Sequence, residues 1–391
     1  MVMNDRIAAL QKMLAEQGLD GVLYGPCANT QYLLKDTSYY WQRTPDTGHY
    51  LLKDSPFCAN TQSFFHCKPD LVIWVPVKGE AAVVASFERA KTMPNTKPDA
   101  VCHYVMIGDY IAPFVGDAKK VAIGLGCEKA LKTMLAEISS EIETVPGEIL
   151  VETMRMQKDA DEIAAMRKVA EFTDFCMGEI VKILKPGITG WEVECRLNEL
   201  AVEHGCCDIP FTPSCTFSKF GVPFGQISKK TPLEPGMSIA FDNGFVMDGY
   251  CSDFGRSFFC GKAPERVAGA YKALQTAQQE LLAKIKPGVS MSITFNSLHE
   301  SLKKFGYEND LRNYANIGMM GHQIGIEVHE EPWLHDGSED IFKPGMIMCI
   351  EPKILLDGEV FMRVEDMVLI TEDGCESLTK FDRDLYELSI D

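Results

Sequence analysis

A turn and a short apolar strand occur twice in this chain, and each time they lead to a carboxylate. Glu234-Pro235-Gly236-Met237 is echoed by Lys343-Pro344-Gly345-Met346, and six residues past each glycine stand Asp242 and Glu351. A second acid follows each one on a further strand-like run, Asp253 after Val246 to Ser252 and Glu365 within Met362-Arg363-Val364-Glu365-Asp366. The upstream punctuation repeats too. Lys185-Pro186-Gly187 and Lys286-Pro287-Gly288 lie 101 residues apart, as do Gly205 and Gly306, the glycines that close the next helical patterns. This is the signature of an internal duplication. Two helix-helix-strand halves sharing a core would bring Asp242 and Asp253 of one against Glu351 and Glu365 of the other.

The stretch from Phe241 to Phe259 predicts how the first pair is presented. Asp242 and Asp253 are eleven residues apart, an odd spacing that one uninterrupted strand cannot carry on a single face. A hairpin with its turn at Asn243-Gly244 is expected between them. Two carboxylates converging in a half-buried place stay ionised only if a cation neutralises them. From this segment alone, strand-end aspartates facing water remain the alternative. Gly321-His322-Gln323-Ile324-Gly325-Ile326-Glu327-Val328-His329-Glu330 supplies an imidazole among glycines that permit close backbone approach. Seven residues separate His322 from His329, so the two are expected to have different jobs.

With 391 residues, 46% apolar, the chain can bury ample core and is expected to form two domains, residues 1–157 and 158–391. The first reads as a small α/β domain, with a helix carrying Ile7, Leu10, Met13 and Leu14, then β-type runs at Gly21 to Tyr24, Leu71 to Val75, Ala81 to Ala85 and Val121 to Gly124. An aromatic-rich segment between Lys35 and Lys68 is long enough to be either a lid or a surface loop. The second domain opens with a helix from about Asp159, continues after Thr189, passes an irregular stretch from Cys206 to Thr231, and then repeats. No signal-peptide pattern and no apolar run of membrane-spanning length is present. Fourteen cysteines without a CxxC pair fit reduced thiols, which predicts a cytoplasmic protein. A net charge of −18 argues against nucleic-acid and anionic-membrane partners.

The ordered set Asp242, Asp253, His322, Glu351 and Glu365, with GHxIGxEVHE, IEP and MRVED around its members, resembles the pita-bread metallopeptidases. The two-domain length is most similar to their aminopeptidase P, prolidase and creatinase branch. The resemblance implies a creatinase-type N-terminal α/β domain and an α+β pita-bread catalytic domain with pseudo-twofold duplication. It implies two divalent metal ions of the manganese, cobalt, iron or zinc kind, which suit four carboxylates and an imidazole. Asp253 and Glu365 would bridge them, Asp242 would chelate one, and His322 and Glu351 would hold the other. The implied reaction is attack of a metal-bridged hydroxide on an amide bond, with Glu351 shuttling a proton, His329 contacting the substrate carbonyl and Arg363 supporting the ligands. The family also implies a homodimer, with the aromatic segment approaching the partner's site.

The chain departs from that pattern in three places. Where the proline-directed peptidases carry Pro-His-Gly, this sequence has Pro223-Phe224-Gly225; Gln323 and Lys353 stand where glycines are usual. The expected activity is therefore that of an Xaa-Pro aminopeptidase or dipeptidase with an altered substrate pocket, in which Phe224 offers an apolar surface or a π-face. A lyase or amide hydrolase of the same fold, acting on a small non-peptide and possibly cationic compound, is the alternative.

Overall fold

Short β-branched runs alternating with helical periods set the architecture of a computed structural model that describes residues 2–38, 40–41, 69–147, 149–313 and 316–390. Residues 39 and 42–68 lie outside these, and with them the expectation of a lid. By their internal contacts the residues form two units, Met1–Arg155 and Met156–Asp391.

In the first unit, Asn4 caps the helix Asp5–Glu16 by accepting from Ile7 N–H at 3.0 Å, and Ile7, Leu10 and Leu14 are buried. The strands are β1 (Gly21–Tyr24), β2 (Leu71–Pro76), β3 (Ala82–Ser86), β4 (Ala100–Cys102), β5 (Lys120–Ile123) and β6 (Glu143–Pro146). Among the described residues they form one mixed sheet in the order β4-β3-β2-β1-β5-β6. Leu23, Val72, Val84 and Val121 of the sheet pack with Ile107, Ile111, Leu131 and Leu135 of two helices. The sequence reading missed β4 and β6. One has three residues and the other is polar and partly exposed, so neither carries an apolar run.

The second unit begins with a capping box. Asp159 accepts from Glu162 N–H while the Glu162 carboxylate accepts from Asp159 N–H, both at 3.0 Å, opening the helix Ala160–Ile183. Thr189 and Glu192 do the same for Gly190–Glu203. Strands β7 (Ser214–Ser218), β8 (Ser238–Asp242), β9 (Val246–Met247), β10 (Tyr250–Cys251) and β11 (Ser257–Cys260) complete the first half. Helices Glu265–Leu282 and Ile293–Lys303 begin the second, followed by β12 (Gly321–Gln323), β13 (Glu330–Leu334), β14 (Ile347–Ile350), β15 (Lys353–Leu356), β16 (Val360–Arg363), β17 (Asp366–Ile370), β18 (Cys375–Ser377) and β19 (Tyr386–Leu388).

The duplication is visible in the sheets. One is ordered β19-β11-β8-β7 and the other β13-β12-β14-β17-β18, so β7, β8 and β11 correspond to β12, β14 and β17. Gly236 and Gly345 adopt φ of 90° and 83°, a left-handed conformation that favours glycine, which is why the turn repeats with its glycine. Each half has its own apolar core: Phe241, Phe254 and Phe258 belong to one, Met348, Ile350 and Val368 to the other. The halves join where Glu365 N–H donates to the Gly255 carbonyl at 2.9 Å.

Two local expectations fail. The strand β8 pairs with β11 rather than with Val246 to Ser252, and the tight turn lies at Asp248-Gly249, whose φ values of 49° and 77° suit the turn that joins β9 to β10. Gly244 serves a different purpose. A Cβ there would come within 2.1 Å of the Ser252 carbonyl oxygen. The stretch from Cys206 to Thr231 is also less irregular than expected, because it contains β7, whose Cys215 and Phe217 are buried at alternating positions.

Candidate metal centre

Each acid sits where a strand or a hairpin ends. Asp242 closes β8 and Glu351 follows β14, while Asp253 and Glu365 come after the inserted hairpins β9–β10 and β15–β16. His322 lies in β12 opposite Cys349 of β14, and a Cβ on Gly321 would come within 1.9 Å of the Cys349 carbonyl oxygen, so the strands approach closely at the imidazole.

These side chains converge. His322 Nε2 is 3.5 Å from Asp253 Oδ2 and 4.0 Å from Glu351 Oε1. Ligand atoms of Asp253, His322, Cys349 and Glu365, all buried, lie within 4.8 Å of one another. Arg363 ties Asp242 to Glu365, ion-pairing with the first and donating from Nη1 to the second at 3.2 Å. Lys353 pairs with Glu351. The ring of His329 meets that of His322 edge-on at 4.4 Å and stacks on Trp333 at 5.3 Å.

Burial pushes the Asp253 and Glu365 carboxyls well above the usual carboxylate range, and the neighbouring acids push them further; Arg363 opposes the rise at both. Glu351 is the converse. Burial raises it, but Lys353, Arg363 and His322 outweigh that and hold it down at about 2. Burial lowers the basicity of His322, favouring neutral imidazole. With its proton on Nδ1, donated to the Gln323 carbonyl at 3.0 Å, the Nε2 lone pair is left for the acids' side. Asp253 Oδ1 is buried with no hydrogen-bond partner among the described residues. A divalent cation fits this donor set: it would satisfy the orphaned oxygen and offset the burial and like charge that oppose ionisation of the two acids.

Phe224 is not among the converging side chains. Its ring lies 4.6 Å from that of Phe361, with the Arg312 guanidinium 5.6 Å from its centroid. A ring already facing a cation is a poor site for a cationic substrate group. The sequence reading missed Cys349 and Arg312, and took Lys353 only as a departure from pattern. Cys349 is two residues before Glu351 and hence on the same strand face, a signal that was available. Arg312 has no such signal, since its neighbourhood is made by tertiary pairing.

Comparisons with known proteins bear on the family and the fold. Residues 164–372, more than half of the chain, match the family model of metallopeptidase family M24. An uncharacterized peptidase of Staphylococcus saprophyticus is 29% identical over 238 residues, which is 60% of this chain and 65% of that protein. The peptidase YqhT of Bacillus subtilis is 29% identical over 252 residues, 64% of this chain and 70% of that protein. Among solved structures, an Xaa-Pro dipeptidase from Bacillus anthracis superposes with a TM-score of 0.79 at 23% identity, covering 98% of this chain and 99% of that one. A prolidase from Thermococcus sibiricus gives a TM-score of 0.77 at 25% identity, covering 99% and 100%. With a mixed α/β unit, a duplicated pita-bread unit and buried acids around one imidazole, the chain belongs to metallopeptidase family M24.

Proposed function

We propose that this protein is a dinuclear metal-dependent hydrolase of an Xaa-Pro or similar amide bond, acting on small peptides. The observation that carries the reading is the buried group Asp253, His322 and Glu365, whose ligand atoms lie within 4.8 Å of one another while Asp253 Oδ1 has no partner among the described residues. Asp242, Asp253, His322, Glu351 and Glu365 are the residues that would hold the ions. Bound divalent ions of the manganese, cobalt, iron or zinc kind would supply Lewis-acid polarisation of the scissile carbonyl and a water acidified toward neutral pH.

The chain's own residues have separate tasks. Glu351, whose Oε2 is taken up by Lys353, would use Oε1 to take a proton and return it to the leaving nitrogen. His329, held against His322 and Trp333, would meet the substrate carbonyl. Arg363 orients Asp242 and Glu365. In the same reading the protein is a cytoplasmic homodimer with a creatinase-type first domain. Assays on Xaa-Pro dipeptides and tripeptides after loading with manganese or cobalt test it, and turnover of neither contradicts it.

A histidine in place of Phe224 would add a polar contact near the reacting carbonyl, a kind of contact worth on the order of 10² to 10³ in rate. Wild-type protein is therefore expected to be slow on standard Xaa-Pro peptides, with Phe224→His faster. Equal rates for the two would show that Phe224 does not border the scissile bond. A second variant probes the support behind the ligands. A Cβ on Gly255 would come within 2.3 Å of Arg363 Cδ and 2.9 Å of Glu365 Oε2. Gly255→Ala is expected to weaken metal binding about 10- to 100-fold, the usual effect of disturbing outer partners, as read by metal titration.

A further inference from the structure

We infer that Arg312, backed by Phe224 and Phe361, is a specificity-determining residue that holds a carboxylate of the substrate beside the acid cluster. The inference rests on the proposed hydrolase reading and deepens it by naming the substrate's charge.

The hairpin β15–β16 organises this corner. Its alternate residues Ile354, Leu356, Val360 and Met362 enter the core of the second half. The cross-strand partners Lys353 with Arg363, and Leu355 with Phe361, therefore share the opposite face. Lys353 is paired with Glu351, and Arg363 with Asp242 and Glu365. Two residues back from Arg363, Phe361 carries the ring of Phe224 at 4.6 Å. Phe224 is itself tied to the tip of the hairpin, its N–H donating to the Gly358 carbonyl at 2.9 Å. Arg312 is fixed to the same hairpin by its N–H, which donates to the Lys353 carbonyl at 2.9 Å. Its guanidinium lies 5.6 Å from the centroid of Phe224 and 5.5 Å from that of Phe361.

Among the described residues the Arg312 side chain makes no ion pair and no hydrogen bond, unlike the two cations beside it, although it has five donors. A planar, half-buried guanidinium held over two rings, with its donors uncommitted, suits bidentate capture of a carboxylate. Two residues along a strand span about 7 Å, so the corner lies within the length of a dipeptide or tripeptide from the acids that flank Arg363. An apolar part of the substrate would rest on the two rings while its carboxylate meets Arg312. A cationic group there would be repelled.

The test compares the dipeptide Ala-Pro with its C-terminal amide, on metal-loaded wild type, Arg312→Gln and Arg312→Lys, with circular dichroism to establish folding. Wild type is expected to favour the free acid in kcat/KM by about 10- to 100-fold, the value of one charge-assisted contact. Arg312→Gln should remove that preference through a KM that rises far more for the acid than for the amide, and Arg312→Lys should restore part of it. Calorimetric titration of N-acetylproline and its amide gives a readout independent of turnover. If both peptides are cleaved equally, or if the preference survives in Arg312→Gln, the subsite is overturned and the hydrolase reading stands. If neither peptide is cleaved but N-acetylproline binds wild type and not Arg312→Gln, the hydrolase reading falls and the subsite stands.

Discussion

Replacing Asp253 with asparagine is expected to move activity and stability in opposite directions. Asp253 is buried beside Glu365, Glu351 and Asp242, and its Oδ1 has no hydrogen-bond partner among the described residues. Without a cation this is an unfavourable arrangement, because burial and like charge both oppose ionisation. Asparagine relieves the repulsion and keeps the shape, so the metal-free variant should unfold at higher temperature than metal-free wild type. Adding manganese or cobalt should then reverse the order. A ligand that binds only the folded state stabilises by about 2.7 kcal/mol at 100 times its Kd, and wild type alone should show a gain of that size. Metal affinity in Asp253→Asn should fall by more than the roughly 10- to 100-fold typical of outer-sphere changes, and hydrolysis with it. Thermal unfolding with and without metal checks both halves. A variant that is less stable than wild type in the metal-free state would mean that the acids are held by the protein alone.

Asp366→Ala is expected to be the most destabilising single change in the second unit. Asp366 neighbours Glu365 in sequence but points into a different network. Its Oδ1 accepts from Arg256 Nη2 at 2.7 Å and Thr379 Oγ1 at 2.8 Å, and its Oδ2 from Arg383 Nε at 2.7 Å. Arg256 also donates to the carbonyls of Gly255, Glu365, Phe381 and Asp382, and its guanidinium covers the ring of Phe254 at 4.4 Å. Asp366 and Arg256 are both essentially without solvent contact, so removing the carboxylate strands a buried guanidinium. That typically costs about 3–5 kcal/mol. Burial raises the Asp366 carboxyl, but Arg256 and Arg383 outweigh it and leave its folded pKa below the usual value. Its contribution is therefore present above the unfolded carboxylate pKa of about 3.9 and is lost as pH falls through the folded value. Urea unfolding at neutral pH should show the loss in Asp366→Ala. A difference below about 1 kcal/mol would mean that Arg256 finds other partners.

Much of the fold, and the convergence of the candidate site's acids, is legible in the amino-acid sequence because it is written in local chemistry. The repeated Pro-Gly-Met turns demand glycine at positive φ, Asp159 and Thr189 are readable caps, and the acids stand at strand ends where the duplication puts them. What misleads is local chemistry with more than one meaning. Asn243-Gly244 has the residues of a tight turn, yet Gly244 is there to let the Ser252 carbonyl approach, and the turn is made by Asp248-Gly249. The strand β7 is hidden among prolines and polar residues, since its alternation rests on only two apolar side chains, Cys215 and Phe217. Arg312 and Phe224 are 88 positions apart in sequence and are assembled by the β15–β16 hairpin, so no spacing rule joins them. Lys353 stands out in the sequence only as a departure from a glycine, and its partnership with Glu351 requires the fold.

The most direct test of the central claim is the number of metal ions the folded chain holds. Protein stripped with chelator, reloaded with manganese or cobalt and freed of excess should contain two ions per chain by elemental analysis, and Asp253→Ala and His322→Ala should each contain fewer. Less than one ion per chain in the reloaded wild type would contradict the account.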